Sequence, residues 1–199
     1  MSLARAGRHR PGPAEVVRVS RVLRFLLPAV LLLGCSAAPA PALAPASSGA
    51  FTTTDVAWLH LAEALHTRAL PLLDLARDRA ADRPLAGLAA RLGTEHESGR
   101  GRLRALLAEA RVTGENPHVR HDMPGMPTAA DLTALSGLRD DAFDRRFVTL
   151  LRAYLKQLAL VAKGEQSAGG ARQVRELASA MRRDHTADLA ELDRIAGRT

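Results

Sequence analysis

The sequence predicts an all-α domain in which one helix-turn-helix unit is used twice. Three observations carry that expectation. Aromatic residues make up 3% of the 199-residue chain while Leu, Ala and Arg abound, a balance that favours helices over a sandwich or barrel. Apolar residues recur with helical period: at about 100° per residue, Leu85, Leu88, Ala89, Leu92, Leu103, Leu106, Leu107 and Ala110 fall within about 60° of one direction. Finally, Leu88 to His96 matches Leu177 to His185 at an offset of 89 residues. Without a gap, the same offset pairs Asp55 with Asp144, Trp58 with Phe147, Leu61 with Leu150, Leu72 with Val161 and Leu103 with Leu192.

The first elements are an address rather than a fold. Residues 1–34 carry six Arg and one Glu, so the formal charge of +7 falls to +2 for the remainder. The basicity therefore belongs to a leader, and nucleic acid is not an expected partner. The apolar run Phe25 to Leu33 is short for a permanent span and reads as the core of a signal peptide. Leu32-Leu33-Gly34-Cys35 resembles the bacterial lipobox, in which the cysteine becomes the acylated first residue. Acyl chains on Cys35 would hold the protein to a membrane at about 0.8 kcal/mol per buried methylene, placing it on the extracytoplasmic face. Cys35 is also the only cysteine, which rules out an internal disulfide and a cysteine-based metal site. Residues 35–53, rich in Pro, Ala and Ser, form a disordered tether, and 54–199 form the folded domain, with repeats over about 54–112 and 141–197.

Within that domain Thr53 or Thr54 caps a first helix with Asp55 in its first turn. Its stripe is Trp58, Leu61, Ala62, Leu65, Ala69, Leu72, Leu73 and Ala76, and Pro71 predicts a kink. Asp82 and Pro84 start a second helix running to about Val112. Gly93, Gly99 and Gly101 weaken it by up to about 1 kcal/mol each relative to Ala. A long connector from Thr113 to Asp140 holds a short helix, Thr128 to Ser136, with Thr128 and Asp131 in a capping box. The third long helix is Asp141 to Lys163, closed by Gly164, and the fourth runs from Gly169-Gly170 to about Ile195. Short turns within each pair and a long crossover between helices 2 and 3 give an internally duplicated, ferritin-like four-helix bundle.

His96 lies in the middle of the second helix's stripe. His185 occupies the same place in the fourth, with Asp188 at the edge of that stripe. Burying such groups costs free energy unless they find partners, so these two imidazoles and the carboxylate are the first candidates for a site. Imidazole and carboxylate suit a first-row metal, copper or zinc, and Tyr154 and His66, the latter about 80° off its helix's core direction, could complete the ring. The competing expectation is that His96 and His185 hydrogen-bond each other, Tyr154 or Asp188 and hold the core in register. A second candidate is the connector, where His118, His121, Met123 and Met126 form an imidazole and thioether set that favours Cu(I), or where the methionines simply plug the bundle end. Glu63-Ala64-Leu65-His66 has the spacing of di-iron bundles, but the second pair is missing. His60 points away from the stripe, toward solvent. No catalytic triad, phosphate loop or nucleophilic cysteine stands out, so an enzyme is not expected.

Asp55-Val56-Ala57-Trp58-Leu59, His121-Asp122-Met123-Pro124-Gly125-Met126, Phe143-Asp144-Arg145-Arg146-Phe147 and the Leu-Ala openings at Leu88 and Leu177 together resemble a bacterial family, domain of unknown function 305. The resemblance covers Phe51 to about Ile195 and implies a ferritin-like bundle. It further implies a His-His pair in each odd helix, a Gln followed by Glu in each even one, and, for some members, extracytoplasmic copper binding. In this chain the His pairs fall on Leu65-His66 and Tyr154-Leu155, the Gln positions on His96 and His185, and the Glu positions on Gly99 and Asp188. The family's site therefore does not carry over as it stands. The expectation is a lipid-anchored binding or buffering protein for copper, zinc being second. The alternative is a metal-free structural or protein-interaction module of the cell envelope, with an unidentified protein partner.

Overall fold

The computed structural model describes residues 50–198, so the signal segment, Cys35 and the tether up to residue 49 lie outside the described residues. Five helices follow in order: α1, Thr53–Arg79; α2, Arg83–Glu109; α3, Ala129–Ser136; α4, Asp140–Ala168; and α5, Arg172–Ala196. No strand occurs among the described residues, and none of their helices is long and apolar enough to cross a membrane. α1 packs against α2 and α4 against α5. The two hairpins meet through α1 on α4 and, less extensively, α2 on α5.

Several element boundaries differ from the sequence reading, each for a local reason. Thr52, not Thr53 or Thr54, caps α1, and with Asp55 it completes a capping box. α1 passes through Pro71 to Arg79; the proline is exposed, while Leu72, Leu73 and Ala76 beyond it are buried and keep that end on the core. α2 stops at Glu109, short of Val112, because Arg111 turns into the left-handed region with φ of 55°. α4 does not close at Gly164 but continues to Ala168, carrying Glu165 into a buried position. The short α3 is capped by Thr128 and Asp131 as expected, and Asp131 also accepts from Arg146 of α4 at 2.6 Å.

The two hairpin turns are tied down reciprocally. Asp55 on α1 accepts from the backbone amides of Gly170 and Ala171 at the start of α5, at 2.9 and 3.1 Å. Asp144 on α4 accepts from the amides of Ala81 and Asp82 at the start of α2, at 3.1 and 2.8 Å. Acceptor and donors in one set are each 89 positions from their counterparts in the other. Since Ala171 has no capping side chain of its own, Asp55 supplies what the first turn of α5 lacks. Trp58 and Phe147, also 89 apart, are both buried, as are Leu103 and Leu192.

Beside Asp55 lies Glu165, which is 2% exposed. Burial would raise the Asp55 carboxyl, but hydrogen bonds from Thr52 and the Ala171 amide, with the Glu165 carboxyl beside it, outweigh it and hold its pKa at about 2. Glu165 goes the other way: burial first, then the neighbouring Asp55, push it up to about 8, with Arg175 opposing. A carboxyl whose folded pKa lies above its unfolded value contributes stability fully at low pH and loses it as pH rises through the folded value. Denaturant unfolding from pH 7 to 9, above the range where the buried histidines contribute, should therefore show stability declining with pH, and Glu165→Gln should flatten that decline. Equal slopes in the two proteins would refute the assignment.

Candidate functional site

Three imidazoles meet in the core. His66 on α1 is 2% exposed, His96 on α2 1% and His185 on α5 6%. The His66 and His96 rings stack with centroids 4.3 Å apart and planes 24° apart. His185 stands 5.6 Å from His66 and 5.8 Å from His96. Tyr154 of α4 closes the fourth side, its ring 5.5 Å from His96. The inward placement of positions 96 and 185 follows from the stripe periodicity, and the structure brings the pair together as the sequence suggests. His66, although about 80° off the core direction of its helix, is fully enclosed because α2 offers it Gly99. A Cβ built there would lie 2.8 Å from His66 Cε1 and 2.9 Å from His66 Nδ1.

The polar atoms of this cluster are largely unpaired. His66 Nδ1 lies 3.4 Å from the backbone oxygen of His96; a proton donated there leaves Nε2 as a bare acceptor. His66 Nε2, both ring nitrogens of His96 and of His185, and the Tyr154 hydroxyl have no hydrogen-bond partner. The expected mutual hydrogen bonds between His96, His185, Tyr154 and Asp188 are thus not made, and His185 Nδ1 is 3.7 Å from Asp188 Oδ2. Each unsatisfied buried group costs about 1–3 kcal/mol. Burial, then the neighbouring His185 imidazole, depress the His96 pKa to about 3. Burial followed by His96 and His185 pushes His66 well below its usual range, and burial alone raises Tyr154.

Asp188 is buried but not free to serve as an open ligand. Arg91 binds it at 3.0 Å while also holding Glu95 at 2.8 Å and Glu191 at 2.7 Å. Burial works to raise the Asp188 carboxyl, yet His185 and Arg91 together leave it lowered, so it stays charged. A cavity of about 610 Å³ is lined by His66, Arg91, His96, Met181, His185 and Asp188. The exposed Glu95, Arg102 and Asp184 also line it, so it reaches the surface. Gly99, Arg91 and Met181 were missed as site residues by sequence reasoning; the one signal available was a glycine in mid-helix.

The connector is divided. His118 and His121 lie together, ring centroids 6.0 Å apart, whereas Met126 is buried in the main apolar cluster and Met123 packs against it. Met126 is thus taken up by the core while His121 stays exposed, and the connector lies along the middle of α1 and α4, with Gly125 against Ala153 and Gln157 and Asp122 held by Arg68, rather than at the bundle end. His60 is half-buried, with Nδ1 enclosed, rather than fully solvated. Glu63 of the di-iron spacing is bound by Arg104 at 2.7 Å and by Asn116 at 2.8 Å. Among the described residues no group of three or more His, Cys, Asp or Glu is placed to hold a metal ion as the side chains stand. The stacked His66 and His96 rings are the reason: parallel rings do not aim their nitrogens at one point.

Residues 55–196 match the family described as Domain of unknown function (DUF305). The chain belongs to this family. Among solved structures, a DUF305 protein of Streptomyces coelicolor assigned as secreted is similar at 21% identity with a TM-score of 0.65, over 73% of this chain and 92% of that one. A DUF305 fragment from Deinococcus radiodurans is similar at 20% identity and a TM-score of 0.66, over 75% and 99%. Those identities carry the fold alone. No curated protein matches the sequence.

Neutral buried imidazoles make this DUF305 chain acid-sensitive. His96 stays unprotonated when folded down to about pH 3 but titrates near 6.5 when unfolded. The unfolded chain then binds more protons, and stability falls as pH drops from about 6.5 toward 3. In a Glu165→Gln background, which removes the opposing contribution of that carboxyl, urea unfolding of metal-free protein at pH 7.5 and pH 5.0 should show that loss, and His96→Gln should reduce it. An unchanged loss in the variant would contradict the neutral buried state.

Proposed function

We propose that the protein is an extracytoplasmic, lipid-tethered binder of a transition-metal ion, copper before zinc, serving to handle or buffer the ion rather than to catalyse a reaction. The observation that carries this reading is the set of unpaired ring nitrogens on His66, His96 and His185 around one cavity. Three neutral imidazoles are the donor set that copper and zinc accept, and the Met181 thioether on the same cavity favours copper. Such an ion would offset the cost of leaving those nitrogens unsatisfied. Convergence on an ion requires the His66 and His96 rings to unstack, and the cavity beside them leaves room for a ring to turn. Arg91 keeps Asp188 charged on the same cavity, 3.7 Å from His185 Nδ1.

The reading includes an internally duplicated, ferritin-like four-helix bundle, supported by the matching contacts of Asp55 and Asp144. Extracytoplasmic placement is supported by the lipobox-like Cys35 segment and by the Streptomyces coelicolor relative assigned as secreted. The stacking of His66 on His96 favours a second reading, a metal-free structural or interaction module of the cell envelope.

Titration of the purified chain with Cu(I) and Zn(II) separates the two. The first reading expects one tight equivalent, lost in the His66→Ala, His96→Ala, His185→Ala triple variant and kept in Met123→Leu with Met126→Leu. Undiminished uptake by the triple variant would reject the core site, and no uptake by the unaltered chain would leave the interaction module.

A further inference from the structure

α2 contains three glycines in mid-helix, and they are not alike. A Cβ at Gly93 or Gly101 would meet nothing within 4 Å, so each could be alanine at no steric cost. At Gly99 the added atom would overlap the His66 ring at Cε1 and Nδ1, at 2.8 and 2.9 Å, and would touch Met181 Cε at 3.6 Å. Gly99 itself is buried, and it lies three residues after His96, on the same face of the helix. Helix backbone elsewhere on α2 does not approach an imidazole this way among the glycines of the element. The His66 ring thus occupies the space that any side chain at position 99 would fill.

We propose that Gly99 is a positioning residue: by leaving out a side chain it admits the His66 imidazole between α1 and α2 and so sets the core site at three imidazoles rather than two. This rests on the reading of His66, His96 and His185 as a metal site. Position 99 thereby sets the number of imidazole donors offered to an ion, a set that copper and zinc both accept. His66 reaches the cluster from a direction well away from the α1 stripe, and the absent Cβ opposite leaves the space its ring occupies. Its hydrogen bond to the His96 backbone oxygen then fixes which nitrogen is left bare.

The test begins without metal, in a double-mutant cycle on thermal stability in the full chain. Gly99→Ala is expected to lower Tm in the unaltered background, where the methyl group meets the His66 ring. In the His66→Ala background it is expected to raise Tm, as Gly101→Ala does in both, because alanine is the better helix former once the ring is gone. Additive effects of Gly99→Ala and His66→Ala would overturn the proposal. The second arm titrates Cu(I) and counts imidazoles by X-ray absorption. The unaltered chain and Gly101→Ala are expected to show three, and Gly99→Ala two with at least tenfold weaker binding. Three imidazoles and equal affinity in Gly99→Ala would overturn the positioning role while leaving the core site intact. No copper at His66, His96 and His185 in the unaltered chain would overturn both.

Discussion

The arrangement depends on two carboxylates that each reach out of one hairpin to hold the other. Asp55 receives the first amides of α5 and Asp144 receives the first amides of α2, so each hairpin's turn is fixed by the opposite hairpin's first helix. Helix starts have unpaired amide donors and a positive dipole end, and a buried or half-buried carboxylate placed there answers both. Two such contacts at positions 89 apart fix the axial position of α2 and α5 against α1 and α4. A slip of even one residue would rotate His96 and His185 by about 100° and separate them.

Once that register is fixed, the cost of the core is set by its polar content. Leu92, Leu103, Phe147, Tyr154, Leu155 and Val174 are fully enclosed, and among such neighbours a charged imidazole is strongly disfavoured. His66 and His96 respond by staying neutral. Asp188 responds differently, retaining its charge because Arg91 is close enough to compensate it. One corner of the core is therefore neutral and rich in lone pairs, and the neighbouring corner holds a paired charge open to the surface. Unpaired ring nitrogens thus face an accessible cavity with an ion pair beside it.

Sequence periodicity made the helices and the meeting of His96 with His185 legible, because both rings lie at the centre of a stripe repeated with helical spacing. It undervalued His66, since a single core direction per helix ignores the hairpin partner: His66 faces α2 across Gly99, not the centre of the α1 stripe. Helix ends are less legible where tertiary contacts override local signals. Gly164 reads as a stop, yet α4 continues and buries Glu165, and Arg111 takes a left-handed conformation that nothing in its side chain announces. The connector residues His118, His121, Met123 and Met126 look alike in sequence as soft ligands. Only packing shows that Met126 belongs to the core while His121 stays exposed. Asp188 likewise read as a ligand because its partner, Arg91, lies 97 residues away in the chain.

The central claim is that three imidazoles from three helices act on one ion. Anomalous diffraction at the copper edge from crystals of the copper-loaded protein addresses it most directly. The account predicts one strong peak in the core, within bonding distance of nitrogens from His66, His96 and His185. A peak confined to the His118 and His121 surface, or none in the core of fully loaded protein, would contradict it.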